Sequence, residues 1–417
     1  MISKETIEVI KSTVPVLQQR GEEITTRFYQ MMFANHPELL NIFNHANQNR
    51  GRQQTALAHA VLAAAQNIER LEAILPAVVQ IAHKHRSLGV KPDHYPIVGK
   101  HLLMAIKDVL GEAATEEIIQ AWAQAYQAIA DVFIQVEAEM YEASAKQSAG
   151  WEGFRVFKVV KKVKESDVIT SFYMEPADSG DLASYEPGQY VSIKLDIPGQ
   201  KNTHIRQYSL SDRPDTGYYR ISVKREDGRG GQPDGIVSTY LHHSVQEGDL
   251  LPLSAPAGHF TLDNDSSRPI VLISGGVGLT PMIAMLNSLA KAPNGRQVTF
   301  IHAAINSQTH AMKEYVARLA EENEWLHSYV CYSQPTPEDR AHQSYDKDGF
   351  VDLNWLQQIL PDPDRDFYLC GPVPMLRMVY RALADWGIAA EQIHYECFGP
   401  DIALAIENEA EREESVV

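Results

Sequence analysis

From Ser3 to about Ala145, apolar residues recur at spacings of three and four in a text dominated by Ala, Leu, Gln and Glu. Prolines such as Pro37, Pro92 and Pro96 sit mostly at breaks, so the pattern predicts an all-α domain over residues 1–145. Small and polar residues in "EASAKQSAGWEGF" interrupt that rhythm and mark a linker at 146–154. Short β-branched runs follow, "RVFKVVKKV", "VITSFYM", "QYVSIKL", "RQYSL" and "YYRISVKRE", separated by Gly, Pro and Asp turns. They predict an antiparallel β-barrel over 155–262. From Pro269 strand and helix patterns alternate through "PIVLISGG", "TPMIAMLNSLAKA", "QVTFIHAAI", "HAMKEYVARLAEEN", "LHSYVCYS" and "RDFYLCGP". That alternation predicts a parallel α/β domain over 263–400. Residues 401–417 carry six acids against one base and read as a solvated acidic tail.

Composition narrows the partners. A chain of 417 residues with 44% hydrophobic positions can build several cores. Its formal net charge of −17 excludes nucleic acid or an anionic membrane surface as the main partner, because both recruit clustered Lys and Arg. Small molecules are the expected partners. The opening "MISKETIEVIKSTVPVL" lacks a basic stretch followed by an apolar one, and nowhere do 18 apolar residues run together, so a cytoplasmic chain without membrane anchoring is expected. Cys331, Cys370 and Cys397 form no CxxC pair and read as reduced thiols.

Two histidines close an apolar helical run in "QIAHKHRSLGVKPDHYPIVG". Positions two apart lie about 200° apart around a helix, so His83 and His85 cannot chelate one metal together. Leu75, Val78, Val79 and Ala82 continue at helical spacing towards His85 or Arg86, whereas His83 falls with Gln80 and Lys84 on the more polar arc. His85 is therefore the inward candidate. Taken alone, an inward histidine is more often a buried one bonded to a carbonyl.

Near the carboxyl terminus, "ISGGVGLTP" sets a Gly-rich turn between a strand and a helix, where backbone amides and the helix N-terminus favour a phosphate. It departs from GxGxxG at Thr280 and Pro281. "IRQYSLS" on the barrel, followed in order by "YLCGP" and "HYECFGP", resembles the ferredoxin-reductase family. The resemblance implies FAD and NAD(P)H. Arg206 then pairs with the flavin pyrophosphate, Gln207 lies beside it, Tyr208 packs on the isoalloxazine and the Ser209 hydroxyl reaches its N5. Tyr190 in "PGQY" is a second flavin contact by the same resemblance. Gly275, Gly276, Val277, Gly278, Leu279 and Thr280 would hold the dinucleotide phosphates. Cys370, Gly371 and Pro372 would border the nicotinamide, and Glu396, Cys397, Phe398, Gly399 and Pro400 would cover the flavin face. Cys397 is read as a lining residue. The strand "QVTFIHAAINS" ends without the acid that selects NADH and without an arginine for a 2′-phosphate, so the sequence leaves that preference open.

The helical half, through "RFYQMMFANHPELLNIFN", "GRQQTALAHAVLAAAQNI" and "AHKHRSLGV", resembles the globin part of the bacterial flavohaemoglobins, and the whole resemblance covers about residues 1 to 400. It implies that His85 is the metal ligand, the proximal residue of haem b, with His83 a surface neighbour. It also places Tyr29, in the second helix of that pattern, where its phenol donates to iron-bound dioxygen. Gln53 and Leu57, four apart on one helix face, border the same pocket, and Phe43 packs on the porphyrin. Tyr95 and Glu137 become the partners of His85, a set that favours O–O activation over oxygen storage. Lys84 and Glu396 would tune electron transfer.

The function implied is that of a nitric oxide dioxygenase: NAD(P)H reduces FAD, FAD reduces haem, and haem-bound O2 oxidises NO to nitrate. A monomer acting on O2 and NO is expected. Two rival readings are an oxygen-sensing or oxygen-storing globin with a built-in reductase, and a haem-free flavin reductase whose helical domain only docks.

Overall fold

The structure is a computed structural model that describes residues 2–44, 48, 51–228, 230–292 and 295–399; Pro400 and the expected acidic tail lie outside the described residues. The described residues form two compact units. One holds the chain through Arg155 together with Ser192–Arg206 and Leu253–Ala257; the other holds Val156–Val191, Gln207–Pro252 and the chain from Gly258.

The first unit is built on α1 (Lys4–Asn35), whose Ser3 cap accepts the Thr6 N–H at 3.1 Å. Ile10, Leu17, Ile24, Phe28 and Met32 are buried along it at spacings of four and seven. Tyr29, expected in a second helix, belongs to this first one. Pro15 lies inside α1 and does not break it. Burial of Leu17, Gly21 and Ile24 on the same face beyond the proline offsets an interior cost of about 3 kcal/mol. At Gly21 a Cβ would sit 3.4 Å from that of Ala58, which brings α2 (Arg52–Gln66) close. Then come α3 (Leu75–Leu88), α4 (His94–Leu110) and α5 (Glu116–Lys146). Leu102, Ala105 and Ile106 of α4 join Trp122 and Ala125 of α5 in the same core as α1.

After α5 the chain forms β1 (Phe154–Lys164), β2 (Ile169–Pro176), β3 (Tyr190–Leu195), β4 (His204–Ser209), β5 (Tyr219–Lys224), α6 (Ile236–His243) and β6 (Leu250–Ser254). The strands make a six-stranded sheet in the order β4-β3-β6-β1-β2-β5, with β1–β2, β2–β5 and β3–β6 antiparallel. Neither β6 nor α6 has a counterpart among the runs that predict this sheet.

A second six-stranded sheet has the order β10-β9-β8-β7-β11-β12, and its five neighbouring pairs are parallel. It comprises β7 (Ile270–Gly275), β8 (Val298–Ala304), β9 (Leu326–Tyr332), β10 (Lys347–Asp348), β11 (Asp366–Cys370) and β12 (Ile393–Glu396). Every residue of β7 and β11 is buried, as central parallel strands covered on both faces require. The covering helices are α7 (Leu279–Lys291), α8 (Lys313–Glu322), α9 (Pro337–His342), α10 (Leu353–Ile359) and α11 (Val373–Asp385). From β7 the chain goes out to β10 on one side and returns through β11 and β12 on the other. The carboxyl ends of β7 and β11 therefore flank a topological switch point, where ligands of such sheets bind. Among the described residues no helix is long and apolar enough to cross a membrane.

Candidate functional site

The last turn of α3 presents His85. Gly89 ends the helix at φ +80° with its N–H on the Arg86 carbonyl at 3.1 Å, and the Val90 N–H reaches the His85 carbonyl at 3.0 Å. This pair of bonds is the glycine-terminated closure that satisfies the final carbonyls and fixes the turn. The buried stripe of α3 runs Val78, Ala82, Arg86, with Ser87 beside it; Leu75, read as part of the apolar arc, is 38% exposed because it opens the helix. Residues 83 to 85 are all half-buried, so exposure does not separate the two histidines and His83 is less open than a surface neighbour would be. Hydrogen bonds do separate them. His85 Nδ1 lies 2.7 Å from Glu137 Oε1 and 3.3 Å from the Tyr95 hydroxyl, and that hydroxyl donates to the same Glu137 oxygen at 2.6 Å.

Glu137 is 3% exposed and sits on the inward stripe of α5 that carries Trp122, Tyr126 and Ala130, while Glu139 is exposed and accepts from Gln135. Burial, and after it the Glu137 carboxylate, hold the Tyr95 phenol protonated far above the ordinary tyrosine range. Tyr95 is itself gripped. The Tyr126 hydroxyl donates to its carbonyl at 2.7 Å, and the Tyr126 ring covers Gly99 so closely that a Cβ there would fall 2.6 Å from Cδ1. Sequence reading missed Gly99 and Tyr126; the signal was a glycine facing a tyrosine on the same inward stripe as Glu137. This donor set suits haem iron: the Nδ1 of His85 is engaged by a carboxylate, which leaves Nε2 to coordinate.

Tyr29 is 6% exposed within an aromatic group. Its ring centroid is 4.7 Å from Phe28, 5.7 Å from Phe33 and 5.9 Å from Phe43. Phe43 and Leu57 pack against the same cluster. Gln53 lies one turn before Leu57 on α2 and accepts from the Gln48 amide at 2.8 Å. Lys84 is half-buried, and its carbonyl accepts from Ser87.

On the antiparallel sheet, Tyr190 begins β3 beside Gly258, where a Cβ would lie 3.1 Å from the Tyr190 ring and where φ is +114°. The ring is thus seated on bare backbone, a feature the sequence did not disclose. Arg206, Gln207 and Tyr208 are half-buried on β4, and Ser209 is 6% exposed. A guanidinium fork for phosphate and aromatic faces for a flat ring match the chemistry of FAD.

The glycines of "ISGGVGLTP" meet those of "CGP". A Cβ on Gly278 would collide with the Cys370 carbonyl and lie 2.6 Å from the Gly371 nitrogen, and one on Gly371 would lie 3.0 Å from the Gly275 nitrogen. Gly276, at φ +54°, has nothing within 4 Å of its Cβ direction. Backbone contact below and open space above make a cradle for a dinucleotide phosphate at the switch point. Val277 is half-buried, Leu279 and Thr280 are buried at the start of α7, and the Thr280 hydroxyl donates to the Val277 carbonyl at 3.0 Å. Cys370, expected beside the nicotinamide, is fully buried with its thiol pushed well up by burial, so it offers backbone and not sulfur. Glu396 pairs with Cys370 at the end of β12, followed by half-buried Cys397, Phe398 at 46% exposure and Gly399, whose N–H reaches the Cys397 carbonyl at 2.9 Å. Pro400, also expected here, is outside the described residues.

Comparison with known proteins agrees with this layout. Residues 26–133 match the family model described as Globin, 156–262 the Oxidoreductase FAD-binding domain and 272–381 the Oxidoreductase NAD-binding domain. The chain is 58% identical over 404 residues to a flavohemoprotein of Bacillus thuringiensis subsp. konkukian, covering 97% of this chain and all of that one. A flavohemoglobin from Malassezia yamatoensis, solved with bound FAD and heme, superposes with a TM-score of 0.84 at 29% identity over 95% of this chain and 100% of its own. The flavohem-like FAD/NAD binding domain of a nitric oxide dioxygenase from Vibrio cholerae matches 59% of this chain and 99% of its own at 40% identity, with a TM-score of 0.54.

Proposed function

The chain belongs to the flavohemoprotein family, with a globin domain for haem and FAD- and NAD-binding domains, and we propose that it is a nitric oxide dioxygenase driven by NAD(P)H. When bound, the cofactors supply the redox chemistry: one NAD(P)H provides two electrons through FAD to haem, and two NO with two O2 yield two nitrates, NAD(P)+ and one proton. The protein supplies the settings for that chemistry.

The observation that carries the reading is the His85–Glu137–Tyr95 set. Glu137 accepts from His85 Nδ1 and makes Nε2 a stronger donor, which favours oxidised iron and O–O activation over reversible storage. Tyr95 keeps its phenolic proton on Glu137 and so fixes the carboxylate. Tyr29 offers a phenol among Phe28, Phe33 and Phe43, where a hydrogen bond to an oxygen bearing negative charge contributes about 1.5–3 kcal/mol. Gln53, Leu57 and Phe43 line the same side, one polar and two apolar. Arg206 holds the flavin pyrophosphate, with Gln207, Tyr208, Ser209 and Tyr190 around the ring system. Residues 275–280 hold the dinucleotide, and Glu396 to Gly399 close the flavin face. Lys84 and Glu396 adjust transfer between the two centres. Cys331 and Cys370 are buried thiols outside any disulfide, which suits a reducing cytoplasm.

The test is anaerobic reduction by NADH followed by NO in air, read at the flavin and haem bands for the parent and for His85→Ala. The variant is expected to reduce ferricyanide near the parent rate, to lose or shift its Soret band and to consume no NO above background. NO consumption with an unchanged haem spectrum in His85→Ala removes His85 as the ligand. A parent that binds oxygen reversibly and leaves NO untouched supports the storage globin instead.

A further inference from the structure

Arg86, the residue after His85, is 9% exposed. Its guanidinium donates to Ser144 Oγ at 3.0 Å and to the carbonyl of Pro256, 170 residues away. Its own carbonyl accepts from the Tyr141 hydroxyl at 3.4 Å, which also reaches the Val90 carbonyl at 2.7 Å. Ser87, next in sequence, is fully buried; its Oγ donates to the Lys84 carbonyl at 2.8 Å and accepts from Ser192 Oγ at 3.0 Å, 105 residues away. Ser192 stands two residues after Tyr190 on β3, and its N–H donates to Ser254 Oγ at 2.9 Å. Ser254 is 2% exposed and donates onward to the Ala255 carbonyl at 3.0 Å. These sheet segments, Ser192–Arg206 and Leu253–Ala257, belong to the same compact unit as the helices.

For packing alone this arrangement is a poor choice. Burying a guanidinium takes a charge out of water, and apolar side chains of similar volume would pack with less cost. What buried, directional bonds provide is a single geometry. Two adjacent residues in the last turn of α3, the first and second after His85, are bonded to β3 and to the segment after β6.

We propose that Arg86 and Ser87 form a positioning latch that holds the end of α3, and with it the His85 ring, in fixed register with Ser192 and the segment after β6, so that haem bound at His85 keeps one position and orientation for the electrons it receives. The proposal rests on the assignment of His85 to iron made above. Neither latch residue is assigned a contact with substrate or cofactor. Electron tunnelling falls exponentially with separation, so a loosened helix end slows that one step and leaves hydride transfer to FAD alone.

The experiment uses full-length holoenzyme carrying Arg86→Met, Arg86→Lys or Ser192→Ala. Stopped-flow mixing with NADH under CO reads flavin bleaching and haem reduction separately, and amide hydrogen exchange reads residues 86–90, 192–195 and 253–257. Flavin reduction is expected within about twofold of the parent, while haem reduction falls about tenfold in Arg86→Met and severalfold in Ser192→Ala, as misplacement of a supporting shell predicts. Exchange in the three segments rises together, and Arg86→Lys, which keeps one donor, recovers part of both effects. Ser192→Ala removes a single oxygen and keeps the test valid where Arg86→Met does not fold. Unchanged exchange in the variants, or raised exchange with haem reduction at the parent rate, overturns the latch alone. A parent that holds haem yet never passes electrons to it overturns the dioxygenase reading and the latch with it.

Discussion

One oxygen of Glu137 receives two hydrogen bonds, from His85 Nδ1 at 2.7 Å and from the Tyr95 hydroxyl at 2.6 Å. The three groups come from the end of α3, the start of α4 and the inward stripe of α5. The carboxylate is buried, so both donors are needed to offset its desolvation.

Replacing that charge while keeping an acceptor isolates its role. Glu137→Gln is expected to retain haem and the His85 orientation but to lower NO-dependent oxygen consumption by about 10–100-fold, the usual cost of losing an outer-sphere partner of a metal-bound histidine. Oxygen uptake in the presence of NO, with the Soret band as the control for haem content, decides it. Parent-level turnover would show that the carboxylate serves only the fold.

Two neighbouring glycines separate fold from binding. Gly278→Ala drives a methyl into the Cys370–Gly371 backbone, and such overpacking costs roughly 1–3 kcal/mol, so thermal stability should fall and NADH-driven reduction with it. Gly276→Ala meets no atom within 4 Å and carries only the strain of φ +54°, about 1–2 kcal/mol. It should stay folded and raise the KM for NADH more than it lowers kcat. Equal KM values for Gly276→Ala and parent would move the dinucleotide phosphate elsewhere.

Acid sensitivity should trace to His302. Its Nδ1 lies 2.8 Å from Ser274 Oγ, its ring centroid is 4.5 Å from that of His310, and it is 1% exposed. Burial lowers its pKa from the ordinary 6.5 to about 4. An unfolded chain therefore takes up a proton near pH 6.5 while the folded one does not until about pH 4. The unfolded state binds more protons in that window, so stability declines as pH falls through it, by up to about 1.4 kcal/mol per pH unit, and this contribution is constant below pH 4. His302→Asn keeps a hydrogen-bonding group for Ser274 and cannot titrate. Its melting temperature should fall less steeply between pH 6.5 and 4 than the parent's; identical slopes would place the acid lability at other groups.

Glu137 shows how much of the site was legible in the chain itself. The family resemblance names it, helical periodicity sets it apart from Glu139, two residues on and facing elsewhere, and the same periodicity makes His85 an inward candidate on α3. Strand alternation, the Gly-rich turn after β7 and the motif after β11 are equally local, because each reports how a few successive residues sit on one repeat. By contrast, Pro15 reads locally as a break yet lies inside a continuous α1, since burial along 32 residues outweighs the preference of one.

What the sequence by itself determined is the order and type of the elements and the chemical kind of each candidate residue. Only the tertiary structure decided which of them meet. Gly278 touches Cys370 and Gly371 because β7 and β11 are neighbours in the sheet, and Ser87 reaches Ser192 across 105 residues. Local patterns cannot encode such pairs: the closeness of two distant residues depends on strand order and on the packing of every side chain between them, which is settled only when the cores close.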